Sequence, residues 1–292
     1  MLLILTLVLC VILFGACSPS TDEAPMEQKS RVTVDFSTFQ VEVEDMSRSS
    51  RATLAGSATS LSFIVFNEQG TSVFAVDQNA EEDNFGKVQM DFETGNYTMV
   101  AVAHNGDANA KITSTSSATL PGETFTDTFT KVQAQSVQPN QDCRFTMNLN
   151  RITSAFILKI TDVGDQVPNN VAEIEVEVNT DGSSLSEIEP STLRINPGRG
   201  FALENLKLTY SIPVTDLSKE TPFYFIGTTS PTTVTVKATA KTANGTEIIS
   251  HTIGQIPLIR NQKTKASGKF FTPKVSGTFT IETWDADHNI EY

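Results

Sequence analysis

Cys17 is the residue whose type and setting speak most directly of chemistry. It follows an uncharged apolar run from Leu2 to Phe14 and the small pair Gly15–Ala16. A run of that length is too short for a permanent bilayer span, which needs ~20 apolar residues, and it reads as an export signal ending at a cleavage site. A cysteine at that site suits bacterial lipoprotein processing. The thiol takes a diacylglyceryl group and the new amino terminus is acylated, so that several chains hold where one would bind only marginally. An ordinary cleaved signal or a buried apolar strand would show the same run. Such signals usually open with Lys or Arg; the first charge here is Asp22, and a start further upstream would supply the missing base.

The other reactive residues form no constellation. His104, His251 and His288 are widely spaced, and the chain has no HExxH, no GxSxG elbow, no evident Cys–His pair and no phosphate-cradling glycine loop. Carboxylates are scattered, so no glycosidase pair stands out. Asp285, Asp287 and Asn289 imitate the start of a calcium loop, as do Asp77, Asn79 and Glu81 more loosely. Calcium loops also want Gly at the sixth position and a bidentate Glu at the twelfth. Ile290 takes the sixth place in the first case; Glu82 and Val88 take the two places in the second. Solvated loops are the better reading. Neither an enzymatic activity nor a cofactor or metal is expected.

The chain of 292 residues carries 34 acidic against 21 basic residues, a formal net charge of −13. A surface of that sign repels phosphate backbones and argues against a nucleic-acid partner. Of three cysteines, Cys10 leaves with the signal and Cys17 is lipidated, so Cys143 remains alone and no disulfide can form within the mature chain. Stability must come from core burial. The segment after Cys17, SPSTDEAPMEQKS, is polar and proline-containing and should be a flexible tether. Its Asp22 and Glu23 resemble the acidic signal that directs some bacterial lipoproteins to the outer face of the outer membrane.

The elements that must position these residues are strands. Val32, Val34 and Phe36 alternate with polar residues, and Phe39, Val41 and Val43 do so in the opposite phase. Short runs follow, among them Leu61–Phe66, Tyr97–Ala103, Ala155–Ile160, Ile174–Val178 and Val234–Ala238, with turns at Asn67-Glu-Gln-Gly70, Asn105-Gly106 and Asn244-Gly245. Only Leu185–Leu193 and Ala202–Leu206 suggest short helical turns. The chain is therefore expected to be all-β and built from β-sandwiches. An echo between 50–70 and 143–162, each leading into a strand (LSFIVF, AFILKI), suggests two domains dividing near residue 140.

Several stretches occur in a distinctive order: VTVDFSTFQVEVE, MSRSSRAT (46–53), LSFIVFNEQG, NLNRITSAFILKITD, IPLIRNQKTKASGKFF (256–271) and the closing TFTIETWDADHNIEY. Together with the lipoprotein signal they resemble the Bacteroidetes fimbrillin superfamily, the subunits of type V pili with their tip and anchor proteins. The resemblance covers nearly the whole exported chain. It implies a signal peptide (1–16), a tether (17–30) and two transthyretin-like β-sandwich domains (31–139 and 140–292). It also implies a surface-exposed outer-membrane lipoprotein, palmitoylated at Cys17, that assembles into a fimbrium and contributes to adhesion. An Arg-specific protease would cut after Arg48 or Arg51, releasing 31–51 with the lipid. Another subunit's strand would then be added in its place. The donor strand would be Thr278–Trp284, through Phe279, Ile281 and Trp284. That tail is short for a stalk subunit, which favours an accessory or tip-type subunit; an uncut chain would be an anchor. A carbohydrate-binding surface lipoprotein is the rival reading, although one Trp and four Tyr make a poor stacking platform.

Overall fold

The computed structural model describes residues 30–35, 54–122, 125–139, 141–179, 194–196, 207–226, 232–272 and 280–283. Among them the chain forms nineteen strands, two single 3-10 turns (Leu54–Gly56 and Val214–Asp216) and no α-helix. The first half contains β1 (Ser30–Asp35), β2 (Ser60–Asn67), β3 (Ser72–Asn79), β4 (Lys87–Phe92), β5 (Gly95–His104), β6 (Lys111–Ser114), β7 (Ser117–Thr119), β8 (Thr128–Val137), β9 (Cys143–Thr146) and β10 (Asn150–Arg151). The second contains β11 (Thr153–Ile160), β12 (Glu173–Asn179), β13 (Arg194–Asn196), β14 (Lys207–Pro213), β15 (Pro222–Ile226), β16 (Thr232–Lys241), β17 (Glu247–Leu258), β18 (Lys263–Gly268) and β19 (Thr280–Thr283). The all-β expectation is met. The segments with helical pattern, Leu185–Leu193 and Ala202–Leu206, lie outside the described residues.

In the first half a three-stranded sheet, β4-β1-β9, faces a five-stranded one, β10-β8-β5-β2-β3. Their shared core holds Val32, Val34, Phe63, Met90, Met99 and Phe129. In the second half the sheets are β15-β11-β18-β19 and β14-β12-β16-β17, and a small sheet β13-β7-β6 joins strands from both halves. The second core cluster crosses the middle of the chain. It takes Phe66, Val100 and Val102 from the back of β2 and β5 together with Phe156, Ile174, Phe223 and Val236. Burial on both faces is why the end of β5 reads MVAVAH without alternation: Met99 to His104 are all buried. The same holds for most of β2.

Turn chemistry sets the hairpins. In the β2–β3 turn the Asn67 Oδ1 accepts from the amides of Gln69 (3.1 Å) and Thr71 (2.9 Å). Gly70 there sits at φ 75°, which a side chain would resist. Strands β9 and β10 hydrogen-bond into the first-half sheets. They therefore pair with strands that precede residue 140.

Candidate functional site

Strand β1 carries the sequence feature with the clearest structural consequence. Alternation along SRVTVD places Val32 and Val34 on one face, and both are fully buried. Arg31 and Thr33 face the other way, over an open polar depression of about 440 Å³ that Gln89, Asp142 and Arg144 help to line. On one side β1 pairs antiparallel with β4, from Ser30↔Phe92 to Asp35↔Lys87. On the other it pairs parallel with β9, from Val32↔Cys143 to Asp35↔Thr146. Among the described strands, β4 and β9 are therefore joined through β1. A parallel partner more than a hundred residues away is costly to bring together, and the valines repay that cost by burial, ~1.5–3 kcal/mol each. The Arg31–Asp91 ion pair, 3.6 Å apart with both side chains mostly exposed, adds little.

Withdrawing β1 would open two unpaired edges at once and empty two apolar pockets between them. A groove of that kind accepts an extended strand through main-chain hydrogen bonds, with alternate side chains filling the pockets. Cys143 sits at the seam. It is half-buried, packs against the first core beside β1, and its thiol donates to the Gln141 carbonyl at 3.4 Å.

Of the residues that sequence reasoning singled out, Cys17, Arg48, Arg51, Phe279 and Trp284 lie outside the described residues, as do Asp285, Asp287 and Asn289. Ile281 is in β19, whose backbone pairs antiparallel with β18 (Ala266↔Ile281) at the end of its own sheet. Asp77 and Asn79 lie at the end of β3, paired with β2, and Glu81 and Glu82 lie in the turn that follows. Asn79 Oδ1 accepts from the Glu81 amide, and Glu82 Oε1 accepts from the amide and side chain of Asn79.

Two polar clusters that no motif flagged hold the two characteristic stretches NLNRITSAFILKITD and RNQKTKASGKFF side by side. Their strands, β11 and β18, run parallel from Ala155↔Lys263 to Ile160↔Gly268. At one end Arg151 donates from Nε (2.8 Å) and Nη2 (3.1 Å) to the two oxygens of Asp127, and from Nη1 to Asn261 Oδ1 at 3.0 Å. Its guanidinium also lies 4.8 Å from the centre of the Phe129 ring. Asn261 is the one described non-glycine residue at positive φ, 63°, a conformation that asparagine tolerates better than most. At the other end the Asp162 carboxylate accepts from the backbone of Phe270, Phe271 and Thr272. The signal was present as a basic residue before one strand and an acidic residue after it, but only the pairing shows what each one meets.

His104, at the end of β5, is almost wholly buried. Its Nδ1 lies 3.4 Å from the Thr126 hydroxyl, and Nε2 has no hydrogen-bond partner among the described residues. Burial lowers its affinity for a proton, and the attraction of the Ala108 backbone only partly offsets this. The unfolded chain thus binds the proton more readily than the folded one. The stability this group supports is complete above the ordinary imidazole value near 6.5 and falls as pH drops through it toward the lowered folded value. Urea midpoints should decline between pH 7.5 and 5.5, and His104→Leu should flatten that decline. An unchanged slope in the variant would remove His104 as its cause.

No protein-family model and no curated protein matches the chain. Solved structures do. A candidate adhesin from Bacteroides ovatus aligns over 90% of this chain and 97% of its own, with a TM-score of 0.50 at 14% identity. The fimbrial anchor protein Mfa2 from Porphyromonas gingivalis covers 88% and 98%, with a TM-score of 0.46 at 14% identity. The tip fimbrial protein Mfa3 from the same organism, truncated at its C terminus, covers 88% and 100%, with a TM-score of 0.42 at 11% identity. At these identities the likeness is one of fold alone, and the all-β fold of this chain is that of the Bacteroides ovatus protein.

Proposed function

We propose that this chain is a non-catalytic structural subunit of a cell-surface fimbrium, of accessory or tip type, contributing to adhesion. It is exported as a lipoprotein acylated at Cys17 and held at the outer membrane until an Arg-specific protease cuts after Arg48 or Arg51. The observation that carries this reading is the placement of β1 as the middle strand of a three-stranded sheet. Cys17 and β1 both lie before the two arginines, so one cut frees lipid and strand together. The next described element begins at Leu54, just beyond them. The vacated groove takes a strand from another subunit, and the segment Thr278–Trp284 is this chain's own donor. The fimbrial descriptions of Mfa2 and Mfa3 are in keeping with the role.

The test is the intact mass of the protein from outer membranes and from sheared surface filaments, with and without Arg-specific protease. A filament species beginning at Ser49 or Ala52 and lacking lipid is expected. A species acylated at Cys17 and confined to membranes would make the chain an anchor. Absence from filaments in every condition would leave the sugar-binding lipoprotein as the better reading.

A further inference from the structure

We propose that the segment from Asn105 to Leu120 is an acid-released joint between the two halves, seated on His104 at neutral pH and lifted from it when the imidazole takes a proton. His104 ends β5 on the same face as Val102, which belongs to the second core. The chain then turns directly over the ring. Gly106 lies so close that a Cβ there would come within 2.6 Å of Cε1 and 2.7 Å of Nδ1. The bonds that hold this turn down are neutral. The Thr59 hydroxyl donates to the Gly106 carbonyl at 3.1 Å, the Ser60 hydroxyl to Asn109 Oδ1 at 2.7 Å, and the Asn105 amide to the Asp127 carbonyl at 3.2 Å.

Both chain segments that touch the ring lead across to the second half. Beyond the turn, β6 and β7 form a hairpin, and β7 pairs in parallel with β13, from Arg194↔Ser117 to Asn196↔Thr119. Ala110, Ile112, Ala118 and Leu120 are buried in the core that both halves share. On the other side of the ring the Thr126 hydroxyl lies 3.4 Å from Nδ1, and its neighbour Phe125 bridges to Tyr224 in β15. A change at His104 therefore acts where the two halves meet.

A charged imidazole does not fit this setting. Imidazolium donates from both nitrogens, and among the described residues Nε2 has no acceptor within hydrogen-bonding distance. The surrounding elements bring no charge to its aid. β2 and β7 carry none, and on β5 the only other titratable group is Tyr97, near the far end. Asp107 in the turn, Lys111 at the start of β6 and Asp77 on β3 are exposed. Lys131 of β8 pairs with Ala101 and so lies on the opposite face of the sheet. Asp127 gives its carboxylate to Arg151 and Thr153. Burial therefore disfavours the charged form, and the attraction of the Ala108 backbone offsets only part of that. Once the turn lifts, water satisfies both nitrogens and the ring binds a proton as it does in an unfolded chain. The open state takes up a proton that the seated state does not, so the seating is complete above the ordinary imidazole value near 6.5 and weakens as pH falls through it.

Hydrogen exchange on the full chain at pH 7.5 and 5.5, with the intrinsic rates divided out, tests the joint. At pH 7.5 the hydrogen-bonded amides between 105 and 119 should be less protected than those of β12 and β16, because they open without the rest of the fold. Between the two pH values their protection should fall about tenfold, the change expected when opening takes up one proton at an ordinary imidazole. In His104→Gln, which keeps a polar side chain that does not titrate, that fall should vanish. Gly106→Ala serves if the glutamine variant fails to fold. Its Cβ pushes the turn off the ring, so protection at 105–119 should already be low at pH 7.5 and respond little to acid. A fall that persists in His104→Gln overturns the joint, as does wild-type behaviour in Gly106→Ala. So does a wild type in which 105–119 is protected as strongly as β12 and β16, or in which its protection does not change with pH.

Discussion

Asp127→Ala should lower the unfolding free energy by about 3 kcal/mol, because it strands a largely buried cation. The Asp127 side chain is 10% exposed and that of Arg151 27%. The carboxylate takes two donors from the guanidinium and a third from the Thr153 hydroxyl at 3.0 Å. Alanine leaves all three without an acceptor in a site too enclosed for water to replace every bond. The partial exposure of Arg151 is why the lower end of the usual range for a broken buried pair is expected. Asp127→Asn keeps the shape and one acceptor but loses the charge, and about half the loss should follow. Urea unfolding at pH 7 would check both, provided the m-values match the wild type. A second alanine at Asn261 should be non-additive by at least ~0.5 kcal/mol, since both residues grip Arg151. A loss below ~0.5 kcal/mol in Asp127→Ala would mean that the knot between β8, β10 and the β17–β18 turn contributes nothing to holding the halves together.

That knot also marks where sequence reasoning reaches its limit. Strand identity was legible because side-chain period depends only on local sequence. The alternation of Val32 and Val34 and the continuous runs of β2 and β5 each announced their burial. The turns at Gly70 and Gly245 were legible for the same reason, since a positive φ calls for particular residues. Pairing was not legible. Nothing in VTVD names β4 and β9 as its neighbours, and the parallel contact with β9 spans most of the first half. Likewise Arg151 and Asp162 stood in plain view as the ends of one motif, and Asn261 and Phe271 within another. Their meaning came only when β11 and β18 were laid side by side. His104 looked like one of three unremarkable histidines, and its burial follows from ending a strand covered on both faces. The candidate exchange site was half-legible. The alternation of β1 was read correctly, whereas Arg48, Arg51, Cys17, Phe279 and Trp284 fall outside the described residues.

Severing and removing β1 should produce the largest change of all, and Cys143 offers a direct report of it. A chain beginning after Cys17 has Cys143 as its single thiol. With β1 in place that thiol is half-buried at the β1–β9 seam, opposite Val32. After cleavage at Arg48 or Arg51 and dissociation of the strand, the β9 edge is bare, and labelling by a disulfide reagent should accelerate about tenfold or more. Adding the free peptide of residues 30–48 in excess should slow it again, because the peptide restores both ladders and refills both valine pockets. Val34→Asp supplies the complementary arm. A carboxylate at a fully buried position costs more than ~3 kcal/mol, which β1 cannot offset from six residues of pairing. That variant should label fast without any cut, and the peptide carrying the same change should fail to protect. Rapid labelling that the wild-type peptide reverses would establish a groove open to a foreign strand. Labelling unaltered by cleavage would mean that β1 stays seated once cut, and a chain whose strand and lipid stay with it is built to anchor.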